Sequence, residues 1–159
     1  MSKIIIGIDP DSKKHGVSIY ENGKLISLES LSLMGLQGFL FSHRKNNPVP
    51  SGETPEDIEV HIEDVCANNA IFMKPGRMDK KREGELKARA RTLGMVQHSQ
   101  VEIERMLIRF HIVPVKHKIS KMWKKDKAQF EKVTGWKGRS NEDTRSAAYF
   151  GWLGVSKSA

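Results

Sequence analysis

A single cysteine, Cys66, stands among 159 residues. No internal disulfide can form, which points to a reducing compartment. No apolar run approaches the roughly 18 residues needed to cross a bilayer. The opening run Ile4-Ile5-Ile6-Gly7-Ile8 is cut by Asp9 and is too short for the apolar core of a secretion signal. A cytoplasmic protein is expected, neither secreted nor partnered with a membrane. The six histidines, His15, His43, His61, His98, His111 and His117, show no zinc-ligand spacing with one another or with the lone thiol. Internal repeats and low-complexity segments are absent. No second acidic, glycine-bearing phosphate loop follows Glu63, which argues against a nucleotide-binding protein of the actin or sugar-kinase kind, as does the short length.

What the chain does have is unevenly distributed positive charge. The net charge is +8. From Lys74 to Arg139 there are 19 Lys or Arg against 7 Asp or Glu, a local net of +12, while the remainder carries 8 against 12, a net of −4. A solvated helix face would use such charges harmlessly, but asymmetry on this scale is the footprint of a polyanion partner. Hydrophobic content of 38% with 29% charged residues suits a globular domain rather than a disordered chain.

Periodicity predicts the elements. Lys3 to Asp9 reads as a buried strand, Pro10 to Gly16 as a polar turn and Val17 to Tyr20 as a second strand. Asn22-Gly23 is a hairpin signal, and Leu25 to Leu33 completes three antiparallel strands. A short helix over Gly35–His43, a proline-rich loop over Asn46–Pro55 and a strand over Ile58–Val65 follow. Lys74 to Gly84 is polar and reads as a mobile loop. Leu86, Ala90, Leu93, Val101 and Leu107 recur at helical spacing within a long helix, Glu85–Phe110. Gly94 inside it suggests close packing against another element. His111 to Val115 reads as the fifth strand. Ile119–Trp123 and Lys125–Val133 read as short helices, Gly135–Arg139 as a loop. Asn141–Leu153 reads as a terminal helix capped by Ser140 or Asn141. The expected fold is α/β: a mixed five-stranded sheet, three antiparallel strands then parallel ones, flanked by helices, as one domain over residues 1–159.

Three acids stand out by position. Asp9 ends the first strand, Glu63 lies late in the fourth between Ile62 and Val65, and Asp143 opens the last helix beside Glu142. Each has an ordinary explanation: a turn former, a wet strand face shared with Glu59 and His61, and an acid favoured by the helix macrodipole. Together they are harder to dismiss, because carboxylates beside apolar strands are costly to desolvate without a counter-ion. A bound cation is one remedy, and hard oxygen donors suit Mg²⁺ or Mn²⁺.

The segment Ile6-Gly7-Ile8-Asp9-Pro10-Asp11-Ser12, followed by Gly16, resembles the opening motif of the RuvC-type Holliday junction resolvases, whose fold is ribonuclease-H-like. Val60-His61-Ile62-Glu63-Asp64-Val65 resembles that family's second motif. Leu93-Gly94-Met95-Val96-Gln97 resembles the glycine-bearing helix that follows it. Asn141-Glu142-Asp143-Thr144-Arg145-Ser146-Ala147-Ala148 resembles the terminal motif. Order and spacing agree over nearly the whole chain, as in a phage-type member of the family, which would place it in a bacterial or phage-infected cytoplasm. One departure is visible. The family usually carries two metal-site residues three apart in the last motif, and here Asp143 is followed at that spacing by Ser146. Either Glu142 substitutes or Asp143 serves alone. Asp11 and Asp64 rank lower.

The resemblance implies a structure-specific endonuclease that resolves four-way junctions by paired symmetric nicks. Asp9, Glu63 and Asp143, with Glu142, would hold two Mg²⁺ ions roughly 3.5–4 Å apart, Mn²⁺ substituting, for in-line hydrolysis leaving 5′-phosphate ends. It also implies a homodimer with two active sites. Branched DNA would be positioned through phosphate contacts. The candidates are Lys80, Lys81, Arg82, Lys87, Arg89 and Arg91 along and before the long helix, and Lys121, Lys124, Lys125, Lys137 and Arg139 near the C-terminal helices. Lys116 and Lys118, just after the fifth strand, are candidates to act at the scissile phosphate. Phe72 and Met73 could wedge a branch point or simply pack. Trp123, Trp136 and Trp152 read as packing residues before base-stacking platforms. The alternatives are an endonuclease acting on other branched DNA or on RNA–DNA hybrids, and a catalytically weak junction-binding protein.

Overall fold

The computed structural model describes residues 2–53, 55–67 and 75–158. Three strands open the chain: β1 (Ile4–Asp9), β2 (His15–Glu21) and β3 (Lys24–Leu31). The turn between β2 and β3 places Asn22 at φ 49° and Gly23 at φ 81°, the two positive angles that a two-residue type I′ hairpin requires. Helix α1 (Leu33–Asn46), strand β4 (Ile58–Glu63) and a 3-10 turn (Val65–Ala67) follow. Then come α2 (Lys80–Arg109), β5 (Val115–His117), α3 (Lys127–Thr134) and α4 (Glu142–Ser158). The sheet order is β3-β2-β1-β4-β5. β1 pairs antiparallel with β2 and parallel with β4, and β5 runs parallel to β4. This is the expected mixed sheet.

Strand alternation splits the core in two, because successive side chains point to opposite faces. Ile4, Ile6 and Ile8 of β1, with Ile58, Val60 and Ile62 of β4, pack against Leu36 and Leu40 of α1 and Ile103, Met106 and Leu107 of α2. Ile5 and Tyr20 face the other way, toward Trp123, Phe130 and Ala148. On that second face α4 lies unusually close to the strands. A Cβ at Gly7 would overlap the Ala147 carbonyl oxygen and lie 2.5 Å from the Gly151 nitrogen. Ser18 Oγ donates to the Ala147 carbonyl at 2.8 Å and the Tyr20 hydroxyl to that of Ala148 at 2.6 Å.

Several elements differ from the sequence-based expectation. The segment 80–84, expected within a mobile loop, is the first turn of α2, capped by Asp79 Oδ1 accepting from Arg82 N at 2.8 Å. Its early turns are exposed on nearly every side, so they leave no apolar stripe to read. Gly94 does not mark close packing: among the described residues nothing lies within 4 Å of a Cβ built there. Gly94→Ala should therefore stabilise the fold by up to about 1 kcal/mol. A thermal melt should show a rise of about 2–4 °C.

The fifth strand begins at Val115 rather than His111. Residues His111 and Ile112 instead close α2 in a Schellman motif. His111 is left-handed at φ 58°, its N–H donates to Ile108 O at 2.9 Å, and Ile112 N–H donates to Leu107 O at 3.0 Å. The helix expected over Ile119–Trp123 is absent. A turn stands there, closed by Lys124 N–H to Lys121 O at 3.2 Å, with Trp123 left-handed at φ 66°. Helix α3 starts two residues late because Asp126 caps it, its side chain accepting from Gln129 N at 3.0 Å. Helix α4 begins as expected: Asn141 Oδ1 accepts from Thr144 N at 2.8 Å and Thr144 Oγ1 from Asn141 N at 2.9 Å, a reciprocal cap. It continues five residues past the expected end.

Candidate active site

β1 and β4 are parallel neighbours, with Ile8 opposite Ile62, so Asp9 and Glu63 come side by side at the same strand ends. Both lie on the α4 face and both are 4% exposed. The first turn of α4 abuts this end of the sheet: a Cβ at Gly16, the register partner of Asp9, would lie 2.6 Å from the Asp143 carbonyl carbon. Asp143 is thus set beside Asp9, half-buried, with Glu142 exposed next to it. The three acids expected to act together are brought to one place.

A cation is already among them. Lys124 Nζ stands 3.3 Å from Asp9 Oδ2. That is ion-pair distance but not hydrogen-bond geometry, and among the described residues Asp9 Oδ2 is buried without a hydrogen-bond partner. Burial pulls the Lys124 pKa down, but the charges of Asp9, Glu63 and Asp143 more than offset it, and the net shift is upward. Glu63 is pushed up to about 8, first by desolvation and then by Asp9, against the pull of Lys124 and of the Ser120 backbone N–H. Asp143 is raised too, by desolvation and then by Asp9. Buried carboxylates that raise one another in this way are what a cation site looks like before it is charged.

Hard oxygen donors and an orphaned buried oxygen on Asp9 fit a divalent ion such as Mg²⁺ or Mn²⁺. Among the described residues no three His, Cys, Asp or Glu side chains converge as a preformed cage. The cation Asp9 faces here is the ammonium of Lys124.

Folding stability should carry the signature of Glu63. The unfolded chain loses this proton near the ordinary 4.5 and the folded chain near 8. Between those values the folded state binds the extra proton, so stability falls as pH rises. His15 and His117, both lowered chiefly by burial, oppose this below their ordinary 6.5. The clean window is therefore about pH 7 to 8.5, where melts in EDTA should show the midpoint falling.

The remaining candidates scatter. Lys116 lies opposite Ile62, on the α2 face away from the carboxylates, and pairs with Glu104 at 3.4 Å. Lys118 is exposed beyond β5. The structure brings neither to the acids. Asp64 Oδ1 accepts from Gln100 Nε2 at 3.0 Å, also on the α2 side. Asp11 Oδ1 accepts from Ser12 N and contributes to raising Asp143 from nearby. Ser146, one helical turn from Asp143, is fully buried, its Oγ has no partner among the described residues, and it brings no charge to the position where the resembling family usually carries a second metal-site residue.

Lys80, Lys81, Lys87, Arg89 and Arg91 are exposed along the first half of α2, with Arg82 half-buried among them. Of these only Arg89 lines a groove of about 480 Å³ that also takes in Asp9, Glu63 and Lys124, with Ala88, Thr92, Leu93 and Val96 of α2 beside it. Lys121, Lys125, Lys137 and Arg139 are exposed around α3. Trp123 is 3% exposed and packs with Trp152, and Trp136 is partly buried against the same cluster. Phe72 and Met73 lie outside the described residues. A larger cavity of about 600 Å³ sits at the opposite end of the sheet. Its Asp57 is already paired with Arg44 at 3.1 Å and His43 at 2.8 Å.

Arg145 escaped the sequence reading, and Lys124 entered it only as a phosphate contact. Lys124 was one of many in a basic run, with nothing local to mark it as the one that turns inward. Arg145 fastens the backbone beside it, and its only sequence signal is a charge next to the small-residue run Ser146-Ala147-Ala148.

No protein-family model and no curated protein matches the chain. Solved structures do. They include Thermus thermophilus RuvC in complex with a Holliday junction substrate and a second structure of Thermus thermophilus RuvC. Each is 11% identical with a TM-score of 0.53, covering 98% of this chain and 95% of the other. The fold is RuvC-like. The likeness extends along almost the full length, so the ribonuclease-H-like architecture expected from the motifs is the observed one.

Proposed function

We propose that this chain is a metal-dependent DNA endonuclease of ribonuclease-H-like fold, one domain over residues 1–159, that resolves four-way junctions by paired symmetric nicks. The observation that carries the reading is the grouping of Asp9 and Glu63 at neighbouring strand ends, in a groove that Arg89 of α2 also lines, with Asp143 of α4 near enough for Asp9 to raise its pKa. The likeness to a protein solved on a Holliday junction supports the choice of substrate.

Asp9, Glu63 and Asp143, with Glu142 at the rim, would hold Mg²⁺, or Mn²⁺ in its place. Two such ions supply a water of lowered pKa and stabilise charge on the leaving 3′ oxygen. Glu63 must give up its proton to serve as a ligand, so binding is favoured as pH rises. Lys124, next to the same carboxylates, is better placed than Lys116 or Lys118 to meet a phosphate at the reacting position. The α2 arm from Lys80 to Arg91, with Lys121, Lys125, Lys137 and Arg139, would grip the backbone of the arms and confer salt dependence without sequence reading. A homodimer would present two such sites to opposite strands, in a cytoplasmic setting.

The test is a labelled four-way junction beside its matching linear duplex, with Mg²⁺ or with EDTA. Paired nicks in the junction alone, dependent on metal, are expected. Equal cutting of flaps or hybrids moves the substrate to branched nucleic acid in general. Tight junction binding with no cleavage in Mg²⁺ or Mn²⁺ overturns the nuclease reading and leaves a junction-binding protein.

A further inference from the structure

Lys124 enters the carboxylate cluster from a segment with little order of its own. No helix or strand is present from Lys118 to Asp126. The residue before it, Trp123, is left-handed at φ 66°, a conformation that a bulky side chain avoids. Something outside the segment must hold that shape. One part is aromatic packing: Trp123 is 3% exposed, with Phe130, Tyr149 and Trp152 at ring separations of 5.7, 5.5 and 5.5 Å.

The other part is Arg145 of α4. It is 8% exposed. Its Nε donates to the Trp123 carbonyl at 2.9 Å, one terminal nitrogen to the Lys124 carbonyl, and the other to Ser140 Oγ at 3.2 Å. All these partners are neutral oxygens, and no carboxylate pairs with Arg145 among the described residues. A buried guanidinium without a counter-ion is expensive. Its planar fork, however, can fix two successive carbonyls at once, which a lysine ammonium cannot do with the same rigidity. Fixing the carbonyls on either side of the Lys124 amide and Cα fixes where its side chain starts. Arg145 is two residues from Asp143 on the same helix, so the first turns of α4 set both an acid of the cluster and, through the clamp, its lysine.

We propose that Arg145 is a positioning residue that clamps the Trp123 and Lys124 carbonyls and thereby holds the Lys124 ammonium against Asp9. Its consequence for cleavage rests on the nuclease reading above; the placement of Lys124 does not.

The test is a double-mutant cycle read in two ways. In EDTA at fixed pH, Lys124→Met is measured by thermal melt in the wild-type and Arg145→Gln backgrounds. The clamp predicts a midpoint shift of about 3 °C or more in the first and almost none in the second. Equal shifts in both backgrounds overturn it, since a merely structural arginine adds its effect independently. On a four-way junction, Arg145→Gln is expected to lower kcat about as much as Lys124→Met, with KM little changed, and the double variant is expected to be no slower than Lys124→Met alone. Multiplying losses overturn the proposal. If the wild-type protein does not cleave, the nuclease reading fails and the thermal cycle still decides the clamp. If Arg145→Gln does not fold, Arg145→Lys, which keeps the charge but not the fork, carries the same cycle.

Discussion

Asp9→Asn should reduce metal-dependent nicking of a four-way junction by about 10³-fold or more while leaving the protein folded. Loss of a group that merely orients a metal ligand costs about 10–100-fold. Asp9 is proposed as a ligand itself, buried, with an oxygen that no hydrogen bond satisfies, so its loss should exceed that range. The fold should tolerate the change for an electrostatic reason. Asp9 contributes to raising both Glu63 and Asp143. Removing its charge takes away that repulsion and the ion pair with Lys124 together, and Lys124 keeps two carboxylates nearby.

A second readout belongs to the same variant. With Asp9 neutral, Glu63 should ionise at lower pH, so the decline in stability between about pH 7 and 8.5 should flatten. Melts across that window, in EDTA, check the electrostatics independently of any substrate. A variant that is inactive but keeps the wild-type pH slope would mean that Glu63 is raised by burial alone. A variant that still cuts at near the wild-type rate would remove Asp9 from the chemistry.

How far the chain could be read in advance follows from where its information lies. The sheet was legible because Ile4 to Ile8 form a short apolar run too brief for a helix, and Asn22-Gly23 names its own turn. Asp9 and Glu63 were legible as strand-end acids, but that they lie side by side is set by the parallel pairing of β1 with β4. What sequence could not supply was set by contacts across the fold. The exposed start of α2 has no apolar face, and only Asp79 three residues before Arg82 hints at a cap. Trp123 adopts a left-handed angle that no local preference favours. Lys124 is set apart from Lys121 and Lys125 not by its neighbours in sequence but by what the packing of Trp123 and the contacts from Arg145 do to its backbone. Lys116 looked well placed after a strand, yet the strand's alternation turns it toward Glu104.

Gly7→Ala and Gly16→Ala should separate the fold from the site, although both glycines sit under the same helix. The Cβ added at Gly7 would strike backbone, the Ala147 carbonyl oxygen and the Gly151 nitrogen, in the middle of the seam where Ser18 and Tyr20 bond to α4. Backbone on both sides leaves little room to yield, and Gly151 is itself so close that a Cβ there would lie 2.7 Å from the Tyr20 ring. Overpacking of this kind costs about 3 kcal/mol or more. The melting midpoint should fall by about 6–12 °C, if the variant folds at all. Gly16 lies at the end of the seam, and its added Cβ meets only the first turn of α4, at the carbonyl of Asp143. That contact is at the helix terminus, beside exposed Asn141 and Glu142, so the added Cβ displaces the start of α4 rather than the middle of the seam. The expected result is a smaller loss of stability than for Gly7→Ala with a larger loss of cleavage relative to it, because a displacement of about 1 Å at a reacting group is worth on the order of 100-fold in rate. Melting and single-turnover cleavage measured on both variants give the comparison. If Gly16→Ala loses stability and activity in the same proportion as Gly7→Ala, then Asp143 is merely part of the helix. If activity falls far more than stability, the tight approach of Gly16 is what sets Asp143 beside Asp9.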